Sequence, residues 1–357
     1  MSNDRASWAV FEALDSARRM QGMALDAIGL GPVESPYETV FRTAGASLRR
    51  YGAGTEPGPA AVIVPAPIKR PYIWDLAPGA SAVRRLLAAG APVFLLEWER
   101  TVEPLGLADY ADRLIGAALD AAGIDRAVLL AHSLGGLFAA IFAALHPERV
   151  RGLALLATPL HFARRVGIFS AMTDMLPAES LPPSVPGSFL GAASLRASPA
   201  TFGWDRFVDL AASLGAPAAL ATHLRVERWA LDEFPLPGRL LADLAERLVR
   251  DDAFVRGTLT FGGRLAAPSQ VAAPLLCVVD PRCHVVPPAA VLPFLEAAGS
   301  SDKTLLHYHG DVGVSLQHVG LLVGPHAHAR LWPQITRWVR RCADAGGAAR
   351  PRLDAAA

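Results

Sequence analysis

One stretch, Asp125 to Pro147 (DRAVLLAHSLGGLFAAIFAALHP), restricts the architecture of this chain more than any other segment. Its first part, Ala127 to Leu130, is short and wholly apolar, as expected of a strand buried in a parallel sheet. A later part, Leu134 to Leu145, is long and apolar enough for a buried helix. Ser133 stands between them. The stretch therefore predicts a buried strand, a sharp turn that carries a serine, and a buried helix.

The residues around this serine read Ala131-His132-Ser133-Leu134-Gly135, which differs by one letter from the G-x-S-x-G nucleophile elbow. An elbow holds its nucleophile on a strained turn, so the residues two before and two after it must be small. Ala131 and Gly135 meet this requirement, and Gly136 allows the helix to pack closely. The alternative is an ordinary strand-to-helix turn with a polar serine. We interpret Ser133 as a nucleophile.

Bulk composition excludes several classes of partner. Lys and Arg total 34 against 33 for Asp and Glu, so no excess charge indicates binding to nucleic acid or to an anionic membrane surface.

The N-terminus has no apolar signal region, and no segment approaches about eighteen uninterrupted apolar residues. Cys277, Cys283 and Cys342 have neither the number nor the spacing of a disulfide framework or a zinc site. We expect a cytoplasmic protein without metal, cofactor or integral membrane association.

Hydrophobic periodicity along the chain predicts alternating strands and helices, which favours parallel strand pairing. The expected helices lie at 6–29, 81–89, 110–122, 134–145 and 327–342, and the expected strands lie at 39–51 (two edge strands), 60–64, 92–98, 127–130, 150–157, 274–279 and 304–308. Between 160 and 266 the pattern becomes irregular and rich in Pro and Gly. We therefore divide the chain into an N-terminal helical extension (1–36), a core (37–160 and 267–345), an inserted cap (161–266) and a disordered tail (346–357).

A serine nucleophile needs a histidine base, which in this arrangement follows the last strand. His318, in SLQHVGLLVG, lies after that strand and before the final helix, and we interpret it as the base. His132, next to the nucleophile, is more typical of a packing or cap-contacting residue. Neither of the pairs 307/309 and 326/328 has a third metal ligand, which argues against a metal site.

The acid that orients the base should follow the strand at 274–279. Asp280 is the only carboxylate in the loop from 280 to 288, and it is either the triad acid or a turn-initiating Asp before Pro281. The oxyanion needs two backbone donors. The N–H of Leu134 is one, and Ile68 or Lys69 supplies the other, because proline has no N–H to offer in that loop.

Several segments agree in order and spacing with one known family. They are VPAPIKRPYIWDL, ALHPERVRGLALLATPLHF, VERWALDEFPLPG, VRGTLTFGGR, HVVPP, QHVG and LWPQITRWV. From about Tyr37 to Val339 the chain resembles the polyhydroxyalkanoate synthases, above all the short single-domain kind. The resemblance implies an α/β-hydrolase fold, with a mostly parallel central sheet flanked by helices and an inserted helical cap. It also implies acyl transfer from hydroxyacyl-CoA thioesters by a triad of nucleophile, Asp and His.

Carried over residue by residue, the resemblance makes Ser133 the nucleophile, His318 the base and Ile68 the second oxyanion donor, while Trp229 and Asp232 match the cap motif W-x-x-D. Two departures fall on the chemistry. The synthases use Cys in the elbow, where this chain has Ser133. Their loop D-H-I-V-P places its Asp where this chain has Cys283, and Asp280 stands three residues earlier.

An acyl ester on serine is more stable than an acyl thioester on cysteine. Deacylation therefore becomes the harder step, and processive polymerisation is disfavoured. We expect a serine-dependent acyl-transfer enzyme that acts on (hydroxy)acyl thioesters, acyl-CoA among them, or on esters, with an alcohol or water as acceptor. The alternatives are an esterase, thioesterase or polyester depolymerase, and a non-catalytic synthase-like binding or assembly subunit. The sequence leaves open a homodimer or a second subunit.

Overall fold

The computed structural model describes residues 2–52, 58–163, 166–176 and 181–344. Its centre is an eight-stranded sheet with the order β1-β2-β4-β3-β5-β6-β7-β8. The strands are β1 (Tyr37–Thr43), β2 (Ala46–Tyr51), β3 (Ala61–Val64), β4 (Val93–Trp98), β5 (Ala127–His132), β6 (Val150–Leu156), β7 (Leu275–Val279) and β8 (Lys303–His307). The tail predicted from 346 onward lies outside the described residues.

Parallel pairing joins all the strands from β4 across to β8, whereas β1 and β2 form an antiparallel hairpin that adds to β4. The predicted parallel arrangement of the central strands is confirmed. The carboxyl ends of β3, β5, β6 and β7 therefore meet at one edge of the sheet, which is where open α/β sheets carry their sites.

Helices lie on both faces of this sheet, at the N-terminal end of the described chain and in the segment between β6 and β7. They are α1 (Ser2–Ala27), α2 (Ala82–Ala88), α3 (Leu114–Ala121), α4 (Leu134–Leu145), α5 (Phe169–Thr173), α6 (Gly187–Ala197), α7 (Asp205–Ser213), α8 (Pro217–Ala230), α9 (Gly238–Asp243), α10 (Leu292–Ala297), α11 (Gln317–Val323) and α12 (Trp332–Asp344). π-helical turns extend α3, α7, α9 and α12 at Asp109–Arg113, Ala200–Trp204, Leu244–Arg250 and Ala327–Leu331. Short 3₁₀ turns lie at Pro71–Trp74, Pro147–Arg149, Pro268–Gln270 and Pro288–Ala290.

Three small two-stranded pairs complete the secondary structure. They join Asp75–Ala77 to Ala80–Ser81, Ser184–Val185 to Leu236–Pro237, and Leu259–Phe261 to Arg264–Ala266. None of them extends the central sheet.

The apolar core consists of two layers, one on each face of the sheet. Successive residues of a strand alternate between the layers, so that Val62 and Leu129 belong to one and Ile63 and Leu130 to the other. The whole of α4 is buried in the first layer. This full burial explains why the helix sequence LGGLFAAIFAAL contains no charged residue.

The helix-rich segment from 161 to 266, which we call the cap segment, lies in the chain between β6 and the strands β7 and β8. α1 packs on α6 and α8, so the N-terminal helix contacts the cap segment. No helix in the described ranges is long and apolar enough to cross a bilayer.

Candidate active site

Ser133 occupies the sharp turn between β5 and α4. Its backbone has φ 53° and ψ −134°, a strained combination for a residue with a side chain. Its N–H donates to the carbonyl of Leu156 (3.1 Å), and its own carbonyl accepts from the N–H of Gly136 (2.9 Å). This backbone geometry is that of a nucleophile elbow.

The small residues around Ser133 are required by close backbone packing. A Cβ atom on Gly135 would lie 2.5 Å from the carbonyl oxygen of Pro65, and one on Gly136 would lie 2.6 Å from the methyl carbon of Thr158. Ala131 is completely buried. These approaches leave no space for a larger side chain, as the elbow interpretation of the sequence requires.

His318 is the second residue of α11 and lines the same cavity as Ser133. Its side chain is buried, and its Nε2 atom has no hydrogen-bond partner among the described residues. Its backbone carbonyl accepts a hydrogen bond from Nε2 of His132 (2.9 Å). Burial, with a contribution from His132, holds the pKa of His318 well below 6.5, so the imidazole is neutral and can accept a proton.

The predicted hydrogen bond between Asp280 and His318 is absent. Oδ1 of Asp280 accepts from the N–H of Arg282 (2.9 Å), and its buried Oδ2 has no hydrogen-bond partner in the part of the chain that the structure describes. The geometry is that of the turn-initiating Asp, the alternative considered for this residue. The loop turns tightly after Asp280, since the N–H of Cys283 donates to the carbonyl of Asp280 (3.1 Å), and it is Cys283 that contacts the imidazole.

Cys283 occupies the place where an orienting acid is expected. Its Sγ lies 3.6 Å from Nδ1 of His318 and accepts from the N–H of Val286 (3.3 Å). Burial raises the pKa of Cys283 to about 11, so the group is a neutral thiol. The resemblance to the synthases already pointed to this position, because their Asp aligns with Cys283.

Two further acids near the site are engaged elsewhere. Asp232 accepts from the hydroxyl of Tyr72 (2.6 Å), and Asp311 accepts from the hydroxyl of Tyr308 (2.9 Å). Among the described residues, therefore, no carboxylate is hydrogen-bonded to the imidazole of His318.

Two backbone amides are candidates for the oxyanion hole. Leu134 is the first residue of α4, so its N–H has no acceptor within the helix. Ile68 lies in the loop after β3 and lines the cavity together with Ser133. Lys69 is the alternative in the same loop, and its side chain is held by Glu233 (2.8 Å). The roles of the Leu134 and Ile68 amides stay predictions.

Trp229 and Asp232, predicted from the cap motif, fasten the end of α8 to the loop that follows β3. Nε1 of Trp229 donates to the carbonyl of Arg70 (2.8 Å), and Asp232 binds Tyr72 and Arg228 (2.9 Å). Trp229 also lines the cavity, whereas Asp232 does not. His132 lines it as well; burial lowers the pKa of His132 to about 4, so its ring is neutral.

Ser133 and His318 open onto a cavity of about 440 Å³ between the sheet edge and the cap segment. Its walls are mostly apolar and include Phe162, Phe169, Met172, Phe202, Leu241 and Leu244. One part of the lining is polar, where Glu233 binds both Lys69 (2.8 Å) and Arg18 of α1 (3.2 Å). This ion-pair cluster could not be predicted from the sequence, because its members are far apart in the chain. A cavity of this size and polarity suits the apolar part of a small ligand.

Comparison with known proteins agrees with this geometry. Residues 38–180 match the family model described as alpha/beta hydrolase fold. Two solved structures are similar in fold: the monoacylglycerol lipase of Paleococcus ferrophilus (TM-score 0.54, 16% identity, 83% of this chain and 99% of that one) and the enol-lactonase of Burkholderia xenovorans LB400 (TM-score 0.55, 15%, 85% and 99%). The chain thus has the α/β-hydrolase fold, with a nucleophile elbow at Ser133.

Sequence relatives narrow the class. The chain is similar to the poly(3-hydroxyalkanoate) polymerase subunit PhaC of Allochromatium vinosum (28% identity, 92% of this chain and 96% of the relative) and to that of Thiocystis violacea (27%, 92% and 95%). The chain therefore resembles the polyhydroxyalkanoate synthases along most of its length. It is an enzyme of the acyltransferase and hydrolase class that shares this fold.

Proposed function

We propose that the protein transfers acyl groups through an ester on Ser133, with His318 as the general base and the amides of Leu134 and Ile68 as oxyanion donors. One observation carries the proposal: a serine in a strained elbow and a buried histidine with an unpartnered Nε2 line one apolar cavity. Structural serines are rarely held at positive φ, and buried imidazole nitrogens are rarely left without a partner.

The steps follow from these groups. Oγ of Ser133 attacks the acyl carbonyl carbon while its proton passes to Nε2 of His318. The carbonyl oxygen becomes an oxyanion, and the bond to the leaving sulfur or oxygen then breaks as that atom takes the proton from His318. The hydroxyl of an alcohol or water next attacks the ester, His318 accepts its proton and returns it to Oγ, and the acyl product leaves.

The cavity walls and the relatives together suggest the substrate class. An apolar cavity favours an aliphatic acyl chain. The relatives are named poly(3-hydroxyalkanoate) polymerase subunits, which favours a 3-hydroxyacyl group carried on a thioester such as CoA. The oxygen ester on Ser133 favours a single transfer to an alcohol or to water over repeated chain extension.

Ester hydrolysis is the second candidate, and the same residue favours it. A serine ester is attacked by water once a base activates the water, as in esterases of this fold. Release of hydroxy acid from oxygen esters, with no reaction on acyl-CoA, would select hydrolysis.

The test is intact-mass analysis after incubation with 3-hydroxyacyl-CoA thioesters of several chain lengths, together with a fluorophosphonate probe that labels activated serines. We expect an acyl adduct and a probe adduct, both lost in Ser133→Ala. Ser16→Ala, which removes an exposed hydroxyl on α1, is the matched control and should retain both. A folded protein that forms neither adduct would favour a non-catalytic subunit.

A further inference from the structure

The loop that carries His318 is fastened to the cap segment by a buried carboxylate. Asp209 lies on α7 and is 8% exposed. Its Oδ1 accepts from the N–H of Gly313 (2.9 Å), and its Oδ2 accepts from the N–H of Ser315 (2.7 Å). These two amides lie between β8 and α11, and Ser315 is three residues before the base.

The neighbouring helix α8 completes the contact. Nδ1 of His223 lies 2.7 Å from Oδ2 of Asp209, the same oxygen that accepts from Ser315, and this contact also holds the carboxylate in place. The hydroxyl of Ser315 donates to Glu227, which also pairs with Arg206 on α7 (2.8 Å). Arg206 and Ser315 line the cavity, so this network reaches from the cavity wall to the base loop.

The backbone of the loop is strained where it is held. Ser315 has φ 59°, and Gly313 has φ 83° at a place where an added Cβ would lie 2.5 Å from the carbonyl oxygen of Ala219 on α8. A non-glycine residue stays in the left-handed region only when contacts with the surrounding structure hold it there. The hydrogen bonds that Asp209 and Glu227 accept from the loop hold it in this conformation.

Among the described residues, no charged group is hydrogen-bonded to the imidazole of His318 and so able to orient it. Its Nδ1 faces a neutral thiol rather than a carboxylate, and a weak hydrogen bond of this kind restrains the imidazole less than a charged one does. We propose that Asp209 is a positioning residue for His318, so that contact with the cap segment orients the base as a triad carboxylate would otherwise do. The proposal rests on the proposed function, because positioning matters only if His318 acts as the base.

The test compares Asp209→Asn with a matched variant, Asp15→Asn. Asp15 is also buried and also accepts from two backbone amides, those of Gly187 and Ser188, but it joins α1 to α6 and does not touch the base loop. We expect Asp209→Asn to lower the rate of fluorophosphonate labelling and kcat by about 10- to 100-fold with little change in KM, since small displacements of a catalytic group have such effects. Asp15→Asn should change both rates by less than about threefold.

A second variant covers the case in which Asp209→Asn does not fold. Glu227→Gln weakens the contact to the Ser315 hydroxyl and keeps the side-chain volume, and it should lower the labelling rate in the same direction. Labelling of either folded variant at the wild-type rate, or an equal loss in Asp15→Asn, would overturn the proposal.

Amide hydrogen exchange distinguishes failure of the Asp209 proposal from failure of the proposed function. The amides of Gly313 and Ser315 should exchange faster in Asp209→Asn than in Asp15→Asn or the wild type. If wild-type Ser133 does not label, the proposed function fails; unchanged exchange of these amides shows separately that Asp209 does not hold the loop.

Discussion

The Sγ atom of Cys283 lies 3.6 Å from Nδ1 of His318, on the side of the imidazole where a catalytic triad places its acid. A carboxylate at this point would accept a hydrogen bond from Nδ1–H and stabilise the imidazolium that forms during attack. A thiol carries no charge and can also donate its own proton to Nδ1, which would place the imidazole proton on Nε2. Cys283 therefore neither fixes the productive tautomer nor stabilises the charged ring.

Cys283→Asp should raise the labelling rate of Ser133 and kcat. The new carboxylate restores the charge and the tautomer, and loss of such an acid costs about 10⁴-fold in enzymes that have it. We expect an increase of about 100-fold, because this loop has not adapted to a buried charge. Quenching the fluorophosphonate reaction at a series of times measures the labelling rate. Cys283→Ser, which is polar but uncharged, is the control, and an equal increase in it would contradict the electrostatic explanation.

Asp280→Asn distinguishes the two interpretations of this residue. Oδ1 accepts from the N–H of Arg282, a bond that an amide oxygen can keep, and Oδ2 has no partner to lose. We expect labelling within about twofold of the wild-type rate, against a loss of about 10⁴-fold for a working triad acid. The variant should be measured alone and in the Cys283→Asp background. A large loss in the wild-type background would restore Asp280 as the acid.

The pH dependence should report the unusual environment of the base. Burial keeps the pKa of His318 well below 6.5, so the imidazole stays neutral as the pH falls through the usual range of histidine. The labelling rate should therefore stay nearly constant from about pH 8 to about pH 6. In Cys283→Asp the carboxylate favours the imidazolium and raises this pKa, so the rate should fall at a higher pH than in the wild type. Identical acid limbs in the two proteins would contradict this assignment.

Features formed by residues close together in the chain could be predicted from the sequence. Features that depend on contacts between distant residues could not. The elbow could be predicted because strand, turn, small residues and helix are contiguous from Ala127 to Leu145. Position along the chain was enough to single out His318. The path of the loop after β7 was not predictable from Asp280 alone, since it depends on a turn and on packing against α11. The contact of Asp209 with Ser315 joins residues more than a hundred positions apart, and the sequence carries no pattern for it.

The packing of the elbow can be tested with two glycines. Gly135→Ala places a Cβ against the backbone of Val64 and Pro65, which cannot move without shifting β3. We expect a loss of about 1–3 kcal/mol in the free energy of unfolding, together with slower labelling. Gly116→Ala in α3 is the control, because its Cβ would meet only Phe142 at 3.8 Å. That change should be neutral or stabilising by up to about 1 kcal/mol, since alanine favours a helix. Urea unfolding measures both, and equal effects would contradict the packing argument.

Acyl chain length should control the rate through the apolar cavity. Each methylene that leaves water contributes up to about 0.8 kcal/mol, so two added carbons should raise kcat/KM by up to about 15-fold until the cavity is full. The measurement is a series of acyl thioesters or esters from butyryl upward.

Narrowing the cavity should shift this preference. Leu241→Trp adds volume to the wall, so the longest chains should lose kcat/KM while the butyryl substrate keeps it. Leu214→Trp, at a position 67% exposed and outside the cavity, is the matched control and should leave the series unchanged. Because Ser133 and His318 are untouched in both variants, a uniform loss across all chain lengths would point to damage at the elbow. A rate that is independent of chain length in the wild type would show that the acyl chain binds elsewhere.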